Sequence, residues 1–349
     1  MSRRILFVIR SKLGDTLISY AAVRAYVDAQ PQDEVTLLTR KNYAELLQSE
    51  PGVRVIGFDN RVVMLAKLCW LRLSEPAFDV LGILFGSGKP VAAIGRWVRA
   101  RRKIAWNKKS APGIFEQGQL VRDHNYIEPA MSVVHAFEPG VPFPGHITIP
   151  SLAGRYAAAA ATRPDVVGIV PLADELRRNF DMPTLLILLA EARRRHPRAI
   201  LRVYVNPDSS DSRNLMRHAL PANCAWYGFR DLLDLVNQYM ELRAWYGTDT
   251  GLFHMAAAVG VPATLFFGPT QPYKVVLPAQ PAVTTVRLAE LGETHCEQKD
   301  CVRPCCLHQA VADFCGVPGP TPLAETPAAC PLRAHDAAAL KVVTIQART

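Results

Sequence analysis

The stretch Tyr246 to Pro272, YGTDTGLFHMAAAVGVPATLFFGPTQP, constrains the fold more than any other. Leu242 to Tyr246, LRAWY, is a short candidate strand. Gly247-Thr248-Asp249-Thr250-Gly251 is a polar turn flanked by glycines, and Leu252 to Val259 predicts a compact Ala-rich helix. Gly260-Val261-Pro262 stops that helix, with Gly at the C-terminal cap and Pro close behind. Ala263 to Phe267 predicts a second buried strand, closed by Gly268-Pro269-Thr270. Strand, turn, helix, strand is the repeating unit of a parallel sheet.

The turn lies where a strand ends and a helix begins. Backbone N–H groups are unpaired there and the helix dipole favours negative charge. Gly251 permits close approach to the backbone, Asp249 and Thr250 add an acceptor and a hydroxyl, and His254 follows about one helical turn later. Taken alone, Asp249 or Thr250 reads first as an N-cap and His254 as a satisfied half-buried histidine, with a ligand turn as the alternative.

The rest of the chain repeats the alternation. Ile5 to Arg10 predicts a strand, Ser11 to Thr16 a turn, and Leu17 to Gln30 a helix ended by Pro31. Strands at Val35 to Thr39 and Val53 to Phe58 flank a helix at Asn42 to Ser49. Asp15, just after the first strand, is either a helix N-cap or a ligand at the carboxyl end of a sheet. Val62 to Leu73 predicts an apolar and basic helix that either faces the core or touches a membrane surface, and the core is preferred because the basic residues Arg61, Lys67 and Arg72 are few. Phe78 to Phe85 is a strand, followed by the turn Gly86-Ser87-Gly88-Lys89, which lacks P-loop spacing. A helix at Pro90 to Arg99 and a strand ending at Trp106 follow. Ala111 to Gln119 is loop-like, Val121 to Phe137 an interrupted helix, and Pro139 to Pro150 a Pro-rich extended passage. The domain boundary falls near Pro150 to Arg163, giving domains over 1–155 and 163–330.

In the second half, strands are expected at Val166 to Val170, Ala199 to Val205 and Cys224 to Tyr227, and helices at Thr184 to Arg195, Ser209 to His218 and Leu232 to Met240. The 349 residues exceed one typical core, which agrees with two domains. An apolar share of 49% and a charged share of 20% indicate a folded, non-fibrous chain. The net charge of +9 favours anionic partners, and with no nucleic-acid motif present, phosphorylated or lipid-borne groups are preferred to nucleic acid. No leader and no apolar run of spanning length is apparent, so a cytoplasmic location is the default expectation.

Six of the eight cysteines lie between Cys296 and Cys330. Cys296, Cys301, Cys305 and Cys306, with His295 or His308 as auxiliaries, are candidate zinc ligands, although the spacing is not two C-x2-C pairs. Reduced thiols or a disulfide are the alternatives.

Four motifs together resemble the ADP-heptose:lipopolysaccharide heptosyltransferases, which are inverting transferases of the GT-B fold. They are ILFVIRSKLGDTL at Ile5 to Leu17, the strand-turn-helix-strand passage Phe78 to Trp106, the Gly-containing turn Trp226 to Leu232, and the D-T-G-x-x-H stretch with F-G-P-T-x-P behind it. Order and spacing agree from Ile5 to Pro278. The resemblance implies two Rossmann-like domains facing across a cleft, acceptor side first, with a last helix near Ala334 to Val343 crossing back. It implies Asp15 as general base, Asp249 as the holder of donor-sugar hydroxyls, Thr250 and Gly251 as the phosphate turn, and His254 beside it. Arg178 corresponds best to the family's lysine, Phe180 to its tryptophan, and Asp208 or Asp211 to its ribose-binding acid. Ala173 and Asp174 replace hydroxyl residues, which leaves the nucleotide open between ADP and an alternative such as UDP or GDP. The implied partners are ADP-heptose and an anionic lipid-linked saccharide, with peripheral contact to the inner face of a bacterial inner membrane. No cofactor is expected. A non-catalytic nucleotide-sugar or carbohydrate-binding relative is the remaining alternative.

Overall fold

A computed structural model describes residues 2–107, 113–118, 125–268, 270–289, 305–317 and 342–346. The chain forms two compact units, Met1–Ser151 and Leu152–Thr349.

The first unit runs β1 (Arg4–Ile9), α1 (Leu13–Ala29), β2 (Glu34–Arg40), α2 (Lys41–Leu47), β3 (Val53–Phe58), α3 (Arg61–Ser74), β4 (Phe78–Phe85), α4 (Lys89–Trp97), β5 (Ala100–Ala105), β6 (Glu116–Gln117) and α5 (Glu128–His135). Its sheet is parallel throughout, in the order β3-β2-β1-β4-β5-β6. Central β1 is buried over its last five residues, as a strand covered on both faces must be. Leu6, Val8, Leu38, Ile83, Val91 and Ile94 belong to one packed core with Leu68 and Leu71 of α3. The interrupted helix expected from Val121 is confined to α5 among the described residues.

A helix α6 (Pro150–Ala158) opens the second unit, which continues β7 (Val166–Val170), α7 (Met182–Arg195), β8 (Ile200–Tyr204), α8 (Ser210–Leu215), β9 (Cys224–Tyr227), α9 (Leu232–Met240), β10 (Leu242–Thr248), α10 (Gly251–Val259), β11 (Ala263–Phe266), α11 (Pro272–Val275), β12 (Val283–Leu288), α12 (Cys305–Phe314) and β13 (Val342–Gln346). Its sheet order is β13-β12-β11-β10-β7-β8-β9, parallel except for β13, which pairs antiparallel with β12. The helix expected near Ala334 to Val343 falls mostly outside the described residues, and its last two positions belong to β13. Strand β12 and helix α12 were not foreseen.

Local signals explain the element ends. Asn60 caps α3 by accepting from Val62 and Val63 N–H, and Asp181 caps α7 by accepting from Thr184 N–H. Gly260 ends α10 at φ 92°, the left-handed position expected of a C-terminal glycine. Both sheets therefore have a topological switch point, between β1 and β4 in the first unit and between β10 and β7 in the second. Ligands of open α/β sheets bind at the carboxyl ends of such strands.

Candidate active site

In the second unit the switch point collects the candidate donor residues. Strand β10 runs out at Thr248, and Asp249 follows with only 3% of its surface exposed. Neighbouring β7 ends at Val170, and the chain beyond it makes a single 3-10 turn, Leu176–Arg178. That turn lays Arg178 against the end of β10. The Arg178 guanidinium donates to Asp249 Oδ2 at 3.0 Å and to the Asp249 carbonyl at 3.1 Å. A carboxylate this deeply buried requires such a partner.

The pair takes Asp249 out of the capping role. Thr250 is the N-cap position of α10 with extended backbone, but its side chain makes no capping bond. Asp249 spends its carboxylate on Arg178, 71 residues away in sequence, rather than on the helix. The start of α10 is thus left with backbone donors beside a fixed carboxylate and a guanidinium. His254, 3% exposed, sits one turn into α10 with its ring 5.1 Å from Phe253.

The turn before α7 carries more than Arg178. Glu175 pairs with Arg177 at 2.7 Å and with Arg178 at 3.3 Å, so its acidity is locally compensated. Asn179, which the sequence did not single out, shapes the turn. Its Oδ1 accepts from Ala173 N–H at 2.6 Å, and its Nδ2 lies 3.5 Å from Asp211 Oδ2. The structure thereby brings Asp211 to this turn, while Asp208 is exposed and its own N–H is held by Asn206 Oδ1 at 3.1 Å. Phe180 is buried against Phe266 at 6.1 Å.

Helix α12 supports the turn from behind. The buried His308 faces the Asn179 carbonyl through Nε2 at 3.3 Å and Asp181 Oδ2 through Nδ1 at 3.5 Å. Of the cysteine candidates, Cys296, Cys301 and the side chain of Cys305 lie outside the described residues, and Cys306 is buried at 7% exposure. Among the described residues no group of three His, Cys, Asp or Glu could hold a metal ion. Cys315, in the loop after α12, has its thiol pushed up to about 12 by burial and by Glu191.

In the first unit, α1 starts at Leu13, four residues earlier than expected, so Asp15 lies in the first helical turn and not in a cap. The N-cap is Lys12, without a side-chain bond. The half-buried Asp15 carboxylate accepts from Ser11 Oγ at 2.5 Å. Ser11 was missed, although a hydroxyl four residues before an acid at a helix start is a visible signal.

Three arginines gather at the same strand ends. Arg10 follows β1, Arg40 ends β2, and Arg61 begins α3. Burial, then the charges of Arg40 and Arg61, pull the Arg10 guanidinium below its ordinary range. None of the three forms an ion pair among the described residues. The edge thus gathers three guanidinium groups close enough to act on one another, at the carboxyl ends of the strands from which α1 and Asp15 follow. Lys89 and the Gly86-Ser87-Gly88 turn follow β4 on the other side of the switch point.

Residues 227–307 match the family model glycosyltransferase family 9 (heptosyltransferase). No curated protein matches the sequence. Solved structures share the fold. A glycosyl transferase family 9 protein from Veillonella parvula is 13% identical, with 81% of this chain and 85% of that chain covered and a TM-score of 0.64. The E. coli ADP-heptose lipopolysaccharide heptosyltransferase II is 16% identical over 89% of this chain and 98% of that chain, with a TM-score of 0.65. The E. coli heptosyltransferase WaaC, solved with ADP, is 17% identical over 77% of this chain and 88% of that chain, with a TM-score of 0.59.

Proposed function

We propose that this chain, a member of glycosyltransferase family 9 with the GT-B fold, moves a heptose from ADP-heptose to a lipopolysaccharide core or related glycan, with inversion at the anomeric carbon. The observation that carries the reading is the Arg178–Asp249 pair at the start of α10.

A nucleotide-sugar donor presents two things to recognise, sugar hydroxyls and a diphosphate. The fixed Asp249 carboxylate accepts hydrogen bonds from hydroxyls. The backbone N–H groups of Gly251 and its successors, with Arg178, suit the diphosphate and the negative charge that grows on it as the glycosidic bond breaks. Asp211, held beside Asn179, suits the ribose hydroxyls.

For the acceptor, Asp15 takes the proton from the attacking hydroxyl, with Ser11 fixing the carboxylate's orientation. Inversion needs one displacement and no covalent intermediate. Arg10, Arg40 and Arg61 suit an anionic saccharide attached to lipid at the cytoplasmic face of the inner membrane. ADP is preferred as the nucleotide because WaaC has been solved with ADP and with ADP-2-deoxy-2-fluoro heptose. The hydroxyl-free Ala173-Asp174-Glu175 segment favours the second reading, a different nucleotide on the same fold.

The test is transfer from ADP-heptose to purified lipid A-core acceptor, run beside UDP- and GDP-sugars. Turnover with ADP-heptose alone supports the first reading, and turnover only with another nucleotide supports the second. Tight donor binding without any transfer would leave a binding protein.

A further inference from the structure

Helix α3 is apolar on two faces. Met64, Leu68 and Leu71 are buried in the first unit's core. On the opposite side Val62 is 76% exposed and Leu73 is 83% exposed, with Leu65 at 41% beside them. At 100° per residue, Val62, Ala66 and Leu73 fall on one outward line, and Arg61 and Arg72 lie to one side of it and Lys67 to the other. The helix carries no acidic residue. The inner face packs into the core, while Val62, Leu65 and Leu73 on the outer face are exposed, and the Arg54 guanidinium lies 5.2 Å from the Trp70 ring at its side.

The surroundings extend the pattern. Trp70 is 43% exposed, and so at 42% is Trp97 at the end of α4. Arg72 donates to the Trp97 carbonyl at 3.2 Å, which joins the two helix ends, and Arg96 is exposed next to Trp97. The nearby acids are few. Glu75 is taken by Arg4 at 2.5 Å and Arg54 at 2.8 Å, and Asp59 faces Lys41 at 4.0 Å.

We infer that the outer face of α3, with Trp70 and Trp97, docks onto an anionic phospholipid bilayer. An exposed apolar stripe flanked by basic residues and tryptophans is the arrangement that lies in a lipid interface. Fourteen residues make a rod of about 21 Å, too short to span a hydrocarbon core of about 30 Å, so the helix lies on the surface. No helix among the described residues is long and apolar enough to cross a membrane. Arg61 belongs both to this helix and to the arginine group at the Asp15 strand ends, so docking here brings that group to the lipid surface. The purpose of the contact rests on the proposed lipid-linked acceptor, but its test does not.

The purified full chain is mixed with vesicles of phosphatidylcholine alone or with added phosphatidylglycerol, neither containing saccharide, and binding is read by co-sedimentation. Binding is expected only to the anionic vesicles. The double variant Val62→Ser, Leu73→Ser should weaken it by at least about tenfold, and Lys67→Gln with Arg96→Gln by a similar factor. Unchanged circular dichroism and an unchanged thermal shift with ADP, or with whichever nucleotide binds, control for folding. Absence of wild-type binding, or binding indifferent to these substitutions, overturns the inference. So does a wild-type dimer that Val62→Ser, Leu73→Ser converts to a monomer without any vesicle binding, since a second copy would then own the face. Failure of heptose transfer with vesicle binding intact would count against the enzymatic reading and leave the docking face standing.

Discussion

The Arg178 guanidinium grips Asp249 twice, by side chain at 3.0 Å and by carbonyl at 3.1 Å. It joins the segment after β7 to the end of β10, the two strands between which the sheet order reverses. Asp249 is nearly inaccessible and Arg178 partly so, with side-chain exposures of 4% and 20%. Removing Arg178 leaves a buried carboxylate poorly compensated, whereas removing Asp249 leaves the more exposed Arg178 with Glu175 at 3.3 Å, and removing both is gentler than the sum.

Arg178→Ala should therefore lower stability by about 2 kcal/mol and donor affinity by tenfold or more. Asp249→Ala should lower donor affinity similarly but cost less stability, because Arg178 keeps Glu175, and the double variant should cost less than the sum. Urea unfolding and calorimetric titration with nucleotide measure both effects. Strict additivity would mean that the pair is not an energetic unit.

Variants of Asp15 and Ser11 test chemistry separately from binding. Asp15→Ala should reduce kcat by about 10²- to 10⁴-fold, with donor affinity unchanged. Ser11→Ala should reduce kcat by about tenfold and alter the pH profile, and Ser11→Thr should restore both. Steady-state kinetics with a fixed acceptor reads these values. Full turnover by Asp15→Ala removes it as the base.

Nucleotide choice can be read without an acceptor. A ligand at one hundred times its Kd adds about 2.7 kcal/mol, or roughly 7 °C in a unit of this size. ADP should give that shift, with UDP and GDP giving clearly less. Equal shifts would show that the Asp211 and Asn179 region does not discriminate bases.

Gly247, inside β10, has no room for a side chain. An added Cβ would sit 2.6 Å from the Val170 carbonyl oxygen and 2.6 Å from the Trp245 ring. The first of these is backbone of β7, so relief means spreading the two strands that frame Asp249. Gly247→Ala should cost about 2 kcal/mol and weaken nucleotide binding together with it. Differential scanning fluorimetry with and without nucleotide checks the link.

Acid should loosen the second unit. The buried Glu191 carboxyl is held down at about 2, first by its hydrogen bonds to Arg194, then by those to Arg195. Its folded value lies below the ordinary 4.5, so its contribution is complete above that pH and disappears as pH falls toward about 2. Both arginines are partly exposed, at 71% and 38%, and water weakens the pair. Glu191→Gln should cost about 1 kcal/mol at neutral pH and nothing near the acid limit. Urea midpoints across that range test the convergence.

Much of the architecture was legible. Unbroken apolar runs such as ILFVI and VVGIV announce strands covered on both faces, and Gly260 with Pro262 ends α10 where expected. Asp15 and Asp249 were visible as polar residues at strand ends. The start of α1 was misplaced because Gly14 and Asp15 suggest a turn, yet the helix accommodates both in its first turn, where the dipole favours an acid. Helix α3 was misjudged because its outer apolar residues look the same in sequence as its core residues.

What the sequence by itself determined is local: where strands and helices start and stop, set by hydrophobic period, caps and turn chemistry within a few residues. What only the tertiary structure decided is which strands are neighbours. An apolar strand carries no mark of its partner, and any of several parallel orders would bury β7 and β10 equally. Their actual adjacency carries Arg178 to Asp249 across 71 residues and turns a capping motif into a buried ion pair at the sheet's switch point. A charge that deep is tolerated only where its partner arrives from elsewhere in the chain.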